Sequence, residues 1–419
     1  MENQKIFRIA VRKFGPFESA LEKIWKSFCT EMGCDVTVEM VPMDLHPLYH
    51  EILESGGLRN GTWDVAHINT DWLYEAYTSG AIENLTPYIK NNPPEDFPNG
   101  WSNSLLSMQQ FGQDVAGLPF HDGPECLIYR KDLFEDEKEK NSYFNQYGKS
   151  LQPPQTWDDF QQIAQFFQRP EQKLYGAVFA GYPDGHNTVF DFSLQLWTRN
   201  GELVNENATI NINSDAALQG LTFYRSIFQD TTAIHPHSKE YDSVQAGMAF
   251  ARGEVAMMVN WFGFASMCEV IEESTVKGKV DITTIPKGPS GASASLNVYW
   301  LYAIGAGSNH KQLAYEFIRF AVNRHNDKLL TLEGGIGCRL STWHDQEVNA
   351  IVPYYHKLEQ LHQNAKSLPL KSNWAKIATV IDEVVLQTVN THKPITELLH
   401  AGQQKIELLD QNEKHGHIL

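Results

Sequence analysis

Apolar residues follow two rhythms along this chain. Ile6-Phe7-Arg8-Ile9-Ala10-Val11 reads as a strand. Phe17, Leu21, Ile24, Trp25 and Phe28 then recur at spacings that put them on one helical face, and Gly33 supplies the stop. Val36–Val41 and Trp63–Ile68 read as further strands, the second following the breakers Gly56-Gly57 and Asn60-Gly61. Strand–helix–strand–helix–strand predicts parallel pairing through helical crossovers. Beyond the proline-rich segment Asn92–Pro98, strands are expected at Glu125–Tyr129, Tyr175–Phe179, Glu254–Val259, Val280–Ile285 and Leu296–Ile304. Helices are expected after the N-cap Thr156, over Val189–Trp197 and over Ser214–Phe228. After residue 305 the chain is mainly helical, broken at Gly334-Gly335-Ile336-Gly337, and the tail Asn412–Leu419 reads as frayed.

At 419 residues the chain is too long for one ordinary core, so two lobes or domains are expected. The net charge of −17 comes without a basic stripe, which excludes nucleic acid as a natural partner. The longest apolar runs, Val255–Phe264 and Val298–Ile304, fall short of the ~20 residues a membrane-spanning helix needs. The chain opens with Met1-Glu2-Asn3 and passes into a strand, without the basic, apolar and small-residue order of an export signal. Cysteines 29, 34, 126, 268 and 338 form neither a C-x-x-C pair nor a zinc spacing. Cys29 and Cys34 flank the turn before a strand, where a bridge is open to them if the chain is exported; the odd count leaves at least one thiol, and Cys126, in an apolar strand, reads as core.

In a parallel α/β sheet, ligands sit beyond the carboxyl ends of the strands. Arg12-Lys13-Phe14-Gly15 and Asn69-Thr70-Asp71-Trp72 occupy those positions after the first and third strands. The aromatic stock, 10 Trp, 16 Tyr and 22 Phe, suits both a large core and ring stacking on sugars.

Several segments carry a resemblance in their order and spacing. Trp63-Asp64-Val65-Ala66, then Asp71-Trp72 and Tyr77-Thr78-Ser79-Gly80-Ala81-Ile82-Glu83-Asn84-Leu85, form one block. Gly117-Leu118-Pro119 precedes Tyr129-Arg130-Lys131-Asp132-Leu133-Phe134, and Pro154-Gln155-Thr156-Trp157-Asp158-Asp159-Phe160 opens a helix. Gly253-Glu254-Val255-Ala256-Met257-Met258-Val259-Asn260-Trp261, Pro286-Lys287-Gly288-Pro289, Ala314-Tyr315-Glu316-Phe317-Ile318 and Gly337-Cys338-Arg339-Leu340-Ser341 follow. Together they resemble the family 1 extracellular solute-binding proteins of bacterial ABC sugar importers, the maltose-binding-protein-like group, over nearly the whole chain. Arg130 stands where that family has asparagine, and Cys338 where it has proline.

The resemblance implies an α/β, two-lobed periplasmic-binding-protein fold of type II-like topology. Each lobe is a mainly parallel sheet flanked by helices, with the ligand in an interlobe cleft. It implies lobes of 1–119 plus 286–334 and of 120–285 plus 335–419, with crossings near Pro119, Ile285 and Gly335. The implied function is capture of a sugar, oligosaccharide or polyol by hinge closure and delivery to the transmembrane subunits of an ABC importer. The implied protein is a monomer, without cofactor, catalysis or resident metal. It is implied to be exported, periplasmic or tethered outside as a lipoprotein, its signal already removed.

A sugar needs polar groups for its hydroxyls and rings for its C–H faces. The resemblance makes Asp71 a hydroxyl-binding residue, against an alternative as helix N-cap. Asn69 and Trp72 flank it, and Phe14 joins from the first strand's loop. His121 and Asp122 follow the first crossing, with Glu125 in reserve. Trp374 is implied to stack on ligand, against a core role suggested by the stripe Ile377, Ile381, Val384. Trp261 takes a similar role, with Gly263 as the alternative match. Of the strand neighbours Tyr299 and Trp300 only one faces the cleft, and Trp300 is chosen. Arg339 is expected at the cleft, against a structural salt bridge. Asp191 replaces a family aromatic, which points away from a maltodextrin and toward a smaller or differently arranged ligand.

Two other classes compete. A glycoside-acting enzyme needs paired carboxylates, which this chain has, but G-x-S-x-G and G-x-x-x-x-G-K-[ST] are both absent. An iron-type metal-binding protein of the same fold is the alternative, with Tyr354-Tyr355, His235-Pro236-His237 and His415-Gly416-His417 as its candidate ligands.

Overall fold

The computed structural model describes residues 6–34 and 36–416, the side chains of 412–416 excepted. The tail at Asn412–Leu419 and the pair His415/His417 lie outside the described side chains.

The chain divides into two compact units. The first comprises Met1–Gly123, Val298–His356 and Leu370–Ser372, and the second Pro124–Asn297, Lys357–Pro369 and Asn373–Leu419.

The first unit is built on a five-stranded sheet in the order Thr37–Met43, Ile6–Arg12, Val65–Asn69, Trp300–Ile304, Leu118–His121. The first three strands run parallel, and Trp300–Ile304 runs antiparallel to both its neighbours. One rim of the sheet therefore collects the ends of Ile6–Arg12, Val65–Asn69 and Leu118–His121 with the start of Trp300–Ile304. Helix Gly15–Met32 buries Phe17, Leu21, Ile24, Trp25 and Phe28 and stops at Gly33, whose φ of 64° glycine adopts without strain. Its Trp25 stacks on Phe7 of the first strand at 5.2 Å and meets Phe317 edge-on at 4.9 Å. Cys29 and Cys34 form a disulfide across the end of this helix, and Cys126, Cys268 and Cys338 are buried free thiols.

The second unit carries a four-stranded sheet in the order Val280–Thr283, Glu125–Arg130, Val255–Trp261, Tyr175–Val178. Glu125–Arg130 is antiparallel to both neighbours, and Tyr175–Val178 is parallel to Val255–Trp261. Its rim thus gathers the ends of three strands and the start of Glu125–Arg130. Helix Trp157–Phe166 begins at Thr156, whose hydroxyl accepts from Asp159 N, as expected of an N-cap. It lies so close to the sheet that a Cβ on Gly176 would sit 1.8 Å from the Ala164 carbonyl oxygen. Helix Trp374–Asn390 joins this unit through Asp382, which accepts from the Thr188 hydroxyl, and the Thr388 carbonyl, which accepts from Arg225.

Two expectations about the path of the chain need correction. Leu296–Ile304 is not one strand: Ser295–Leu296 pairs with Ala365–Lys366 in the second unit, while Trp300–Ile304 pairs in the first. The second crossing therefore falls at Asn297/Val298, not near Ile285. The segment after Gly335 stays in the first unit to His356, because it is held by the Arg324–Leu332 helix. There Asp327 accepts from the amides of Cys338 and Arg339, and the Tyr355 hydroxyl accepts from Gly337 N at 2.9 Å.

Candidate functional site

In the first unit, the fold brings the nominated residues Phe14, Asn69, Asp71, Trp72, His121, Asp122 and Trp300 to one rim. Trp300 stands in register with Asn69 on one side and His121 on the other. Of the two neighbours only Trp300 belongs to the strand. Tyr299 is fully buried and donates its hydroxyl to the Leu105 carbonyl, whereas Trp300 is partly exposed. Trp72 is buried behind it, edge to face at 5.7 Å and 89°, and Tyr49 backs Trp72 at 5.2 Å. Trp72 therefore supports the exposed indole and does not present a face of its own.

The cap of helix Thr70–Thr78 is Asn69, whose side chain accepts from Asp71 N at 3.2 Å. Asp71 lies within the first turn, partly exposed, so the N-cap alternative passes to its neighbour. His121 accepts from Ile336 N at Nδ1 (2.9 Å), and Asp122 N donates to the Ile336 carbonyl at 2.9 Å. Phe14 is half-buried beside His121 and Phe17. Behind this group His67 lies between Phe120 and Tyr302. Burial lowers its pKa to about 3, and burial lowers that of His121 to about 4 against the opposing pull of Asp122. Both imidazoles are neutral at pH 7 and serve as acceptors.

In the second unit, Trp261 ends its strand half-exposed, in register with Glu125 and edge-on to Phe190 at 5.4 Å. The alternative match, Gly263, lies buried in the next helix. Glu125 is 6% exposed, and its Oε2 has no hydrogen-bond partner among the described residues. Burial, then the charge of Asp191, raises its acid well above the usual carboxylate range. Asp191, in the second turn of helix Asn187–Trp197, accepts from the Tyr224 hydroxyl at 2.5 Å. Burial lifts its pKa to about 7, the Tyr224 hydrogen bond opposing.

The sign of that shift predicts a pH effect. An acid raised from 3.8 to about 7 keeps its proton in the folded state where the unfolded chain releases it, so its contribution falls as pH rises from about 4 to 7. Asp191→Asn keeps an oxygen for Tyr224 and removes the ionisation. Calorimetric melting should find the variant stabilised relative to the parent at pH 8 and not at pH 4.5. Equal pH slopes in the two proteins would contradict this.

Two nominated residues belong elsewhere. Arg339 is 0% exposed: its guanidinium donates to the carbonyls of Val322 and Glu95, pairs with Asp96 at 3.2 Å, and lies over the Trp101 ring at 4.3 Å. It is a clamp within the first unit and does not reach the rim. Trp374 is 3% exposed and continues into buried Ile377, Ile381 and Val384, so the core alternative holds. Reading the sequence alone underrated Glu125 and missed Tyr182 and Tyr224. Tyr182 is 48% exposed in the loop after Tyr175–Val178, and that strand-end position was the available signal.

Among the described residues no three His, Cys, Asp or Glu side chains group as a metal site. Tyr354 and Tyr355 are core residues, and His235 is stacked on Tyr241. No described helix is long and apolar enough to cross a membrane.

Two sheet-and-helix units built from an interrupted chain, with polar and aromatic groups on the strand-end rims, define a two-lobed binding protein. The family model for bacterial extracellular solute-binding proteins matches residues 48–326, and the chain belongs to that family. A putative binding protein of Brucella abortus (strain 2308) is 25% identical over 311 residues, covering 74% of this chain and 69% of that one. Among solved structures, a solute-binding protein of Agrobacterium radiobacter K84 in complex with ribitol superposes with a TM-score of 0.85 at 23% identity, over 97% of this chain and 98% of that one. The maltose-bound MalE3 of T. maritima gives 0.84 at 22% identity, over 96% and 99%. The fold is thus the two-lobed α/β architecture of that group.

Proposed function

We propose that this chain is the substrate-capturing subunit of a bacterial ABC importer and that its cargo is a carbohydrate: a sugar, an oligosaccharide or a polyol. The observation that carries the reading is a repeated pairing. Each unit presents a half-exposed indole at its strand-end rim: Trp300 in register with Asn69 and His121, which Asp71 and Asp122 closely follow in the chain, and Trp261 in register with Glu125, which feels the charge of Asp191. Rings take the C–H faces of a sugar, and carboxyls take its hydroxyls. Relatives of this fold have been solved with ribitol and with maltose, which supports the class of cargo. The captured ligand is handed on to the importer's transmembrane subunits. The ligand leaves chemically unchanged. The Cys29–Cys34 disulfide suits an oxidising compartment outside the cytoplasm, where the protein works as a monomer, free or tethered.

A thermal-shift screen over sugars, polyols, oligosaccharides and metal ions tests this. A ligand at a hundred times its dissociation constant stabilises by about 2.7 kcal/mol, a shift of a few degrees or less for a chain of this size. Shifts confined to one carbohydrate class are expected. Stabilisation by metal ions alone would instead favour the iron-type reading.

A further inference from the structure

At the rim of the second unit, strand pairing sets an acid beside an indole. Glu125 opens its strand in register with Trp261, which ends the antiparallel neighbour. Directly paired residues of antiparallel strands project to the same face, so carboxyl and ring share one side of the sheet. Glu125 is more than nine-tenths buried, and its Oε2 has no hydrogen-bond partner among the described residues. The charge that acts on it is another acid, Asp191, which accepts from Tyr224. Tyr224 in turn feels both carboxyls. Lys357, which acts on the adjacent Cys126 thiol, is paired with Asp281 at 2.6 Å. His186 meets Phe190 edge-on at 5.6 Å, and Phe190 meets Trp261. A buried acceptor left unmade is costly, so a ligand that donates to it gains what the chain forgoes. A hydroxyl fills that acceptor and no more. An ammonium group fills it, supplies the counter-charge an ionised Glu125 lacks, and is attracted to the face of an indole.

We propose that Glu125 and Trp261 form a subsite for the protonated amino group of an amine-bearing sugar or polyol, with the Glu125 carboxylate as its counter-ion and the indole as its cation–π partner. This rests on the carbohydrate reading and narrows it to cargo with a basic nitrogen. Burial and Asp191 hold the proton on Glu125 well above the usual carboxylate range. Seating of an ammonium therefore sends that proton to solvent, one positive charge replacing another. A site that must release a proton to bind holds its cation more tightly as pH rises.

The test is calorimetric titration with matched probes: D-glucitol against 1-amino-1-deoxy-D-glucitol, D-glucose against D-glucosamine, and D-galactose against D-galactosamine. The amine of at least one pair should bind about tenfold more tightly than its neutral partner. From about pH 5 to about pH 7 its affinity should rise by up to about tenfold per pH unit, while the neutral partner's stays level. Titration in two buffers of different ionisation enthalpy should find about one proton released per amine bound, and none for the neutral partner. Glu125→Gln should abolish both the preference and the release. The proton count on the unaltered chain decides the matter if that variant folds poorly. A neutral probe that binds as well as its amine would overturn this proposal and leave the carbohydrate reading standing. Amine binding without proton release, or with its preference intact in a folded Glu125→Gln, would overturn it in the same way. No binding by any probe, neutral or amine, would remove the carbohydrate reading and this proposal with it.

Discussion

Asp327→Ala should cost the first unit about 3–5 kcal/mol, the typical loss when one partner of a buried charged network is removed. Asp327 is buried and accepts from Cys338 N at 2.8 Å, Arg339 N at 3.2 Å and the Thr342 hydroxyl at 2.6 Å. Burial raises its acid to about 6 in spite of these donors, so it is ionised at neutral pH beside the buried Arg339 guanidinium. Truncation strands two amides and a hydroxyl and leaves Asp96 as the carboxylate paired with that cation. Thr342→Val, which removes one donor, should cost about 1 kcal/mol. Urea unfolding of both variants is the check. A loss below about 1 kcal/mol for Asp327→Ala would mean that water replaces the carboxylate, against its burial in the folded chain.

The second large effect separates two tryptophans that sequence reasoning treated alike. Trp374→Ala should cost about 3–5 kcal/mol of stability, as expected for a large ring removed from a packed core. It should leave ligand affinity within about threefold wherever the variant remains folded, an effect below 1 kcal/mol. Trp300→Ala should do the reverse. Its indole is partly exposed over Trp72, so stability changes little, while loss of a stacking face weakens sugar binding by about 2–3 kcal/mol, tens- to a hundredfold. Thermal melting and titration of the two variants side by side decide the matter. An affinity loss in Trp374→Ala larger than in Trp300→Ala would reverse the assignment.

Much of the fold was legible because local chemistry and tertiary structure agree. Helix Gly15–Met32 has its apolar stripe and its terminal glycine, and Thr156 caps its helix. What escaped depends on distant partners. Nothing in Leu296–Ile304 marks a break, because its two halves are divided by pairing with Ala365–Lys366 on one side and with Asn69 and His121 on the other. Arg339 was expected at the cleft because its turn, Gly337–Ser341, resembles one of the family's motifs, with a structural salt bridge as the alternative. Its burial is set by Glu95, Asp96 and Trp101, more than 200 residues earlier in the chain. For Trp374 the local stripe pointed to the core, and the motif match outweighed it. Glu125 was underrated because its isolation within the second unit is visible only once strand register sets it beside Trp261 and packing brings Asp191 near.

The most direct measurement is calorimetric titration of the purified chain with the carbohydrate or polyol that gives the largest thermal shift, followed by chemical recovery of that compound. Saturable binding of one molecule per chain, with the compound recovered unaltered, is the predicted result. Heat that continues with turnover of the compound, or no saturable heat with any carbohydrate or polyol in the panel, would contradict the account.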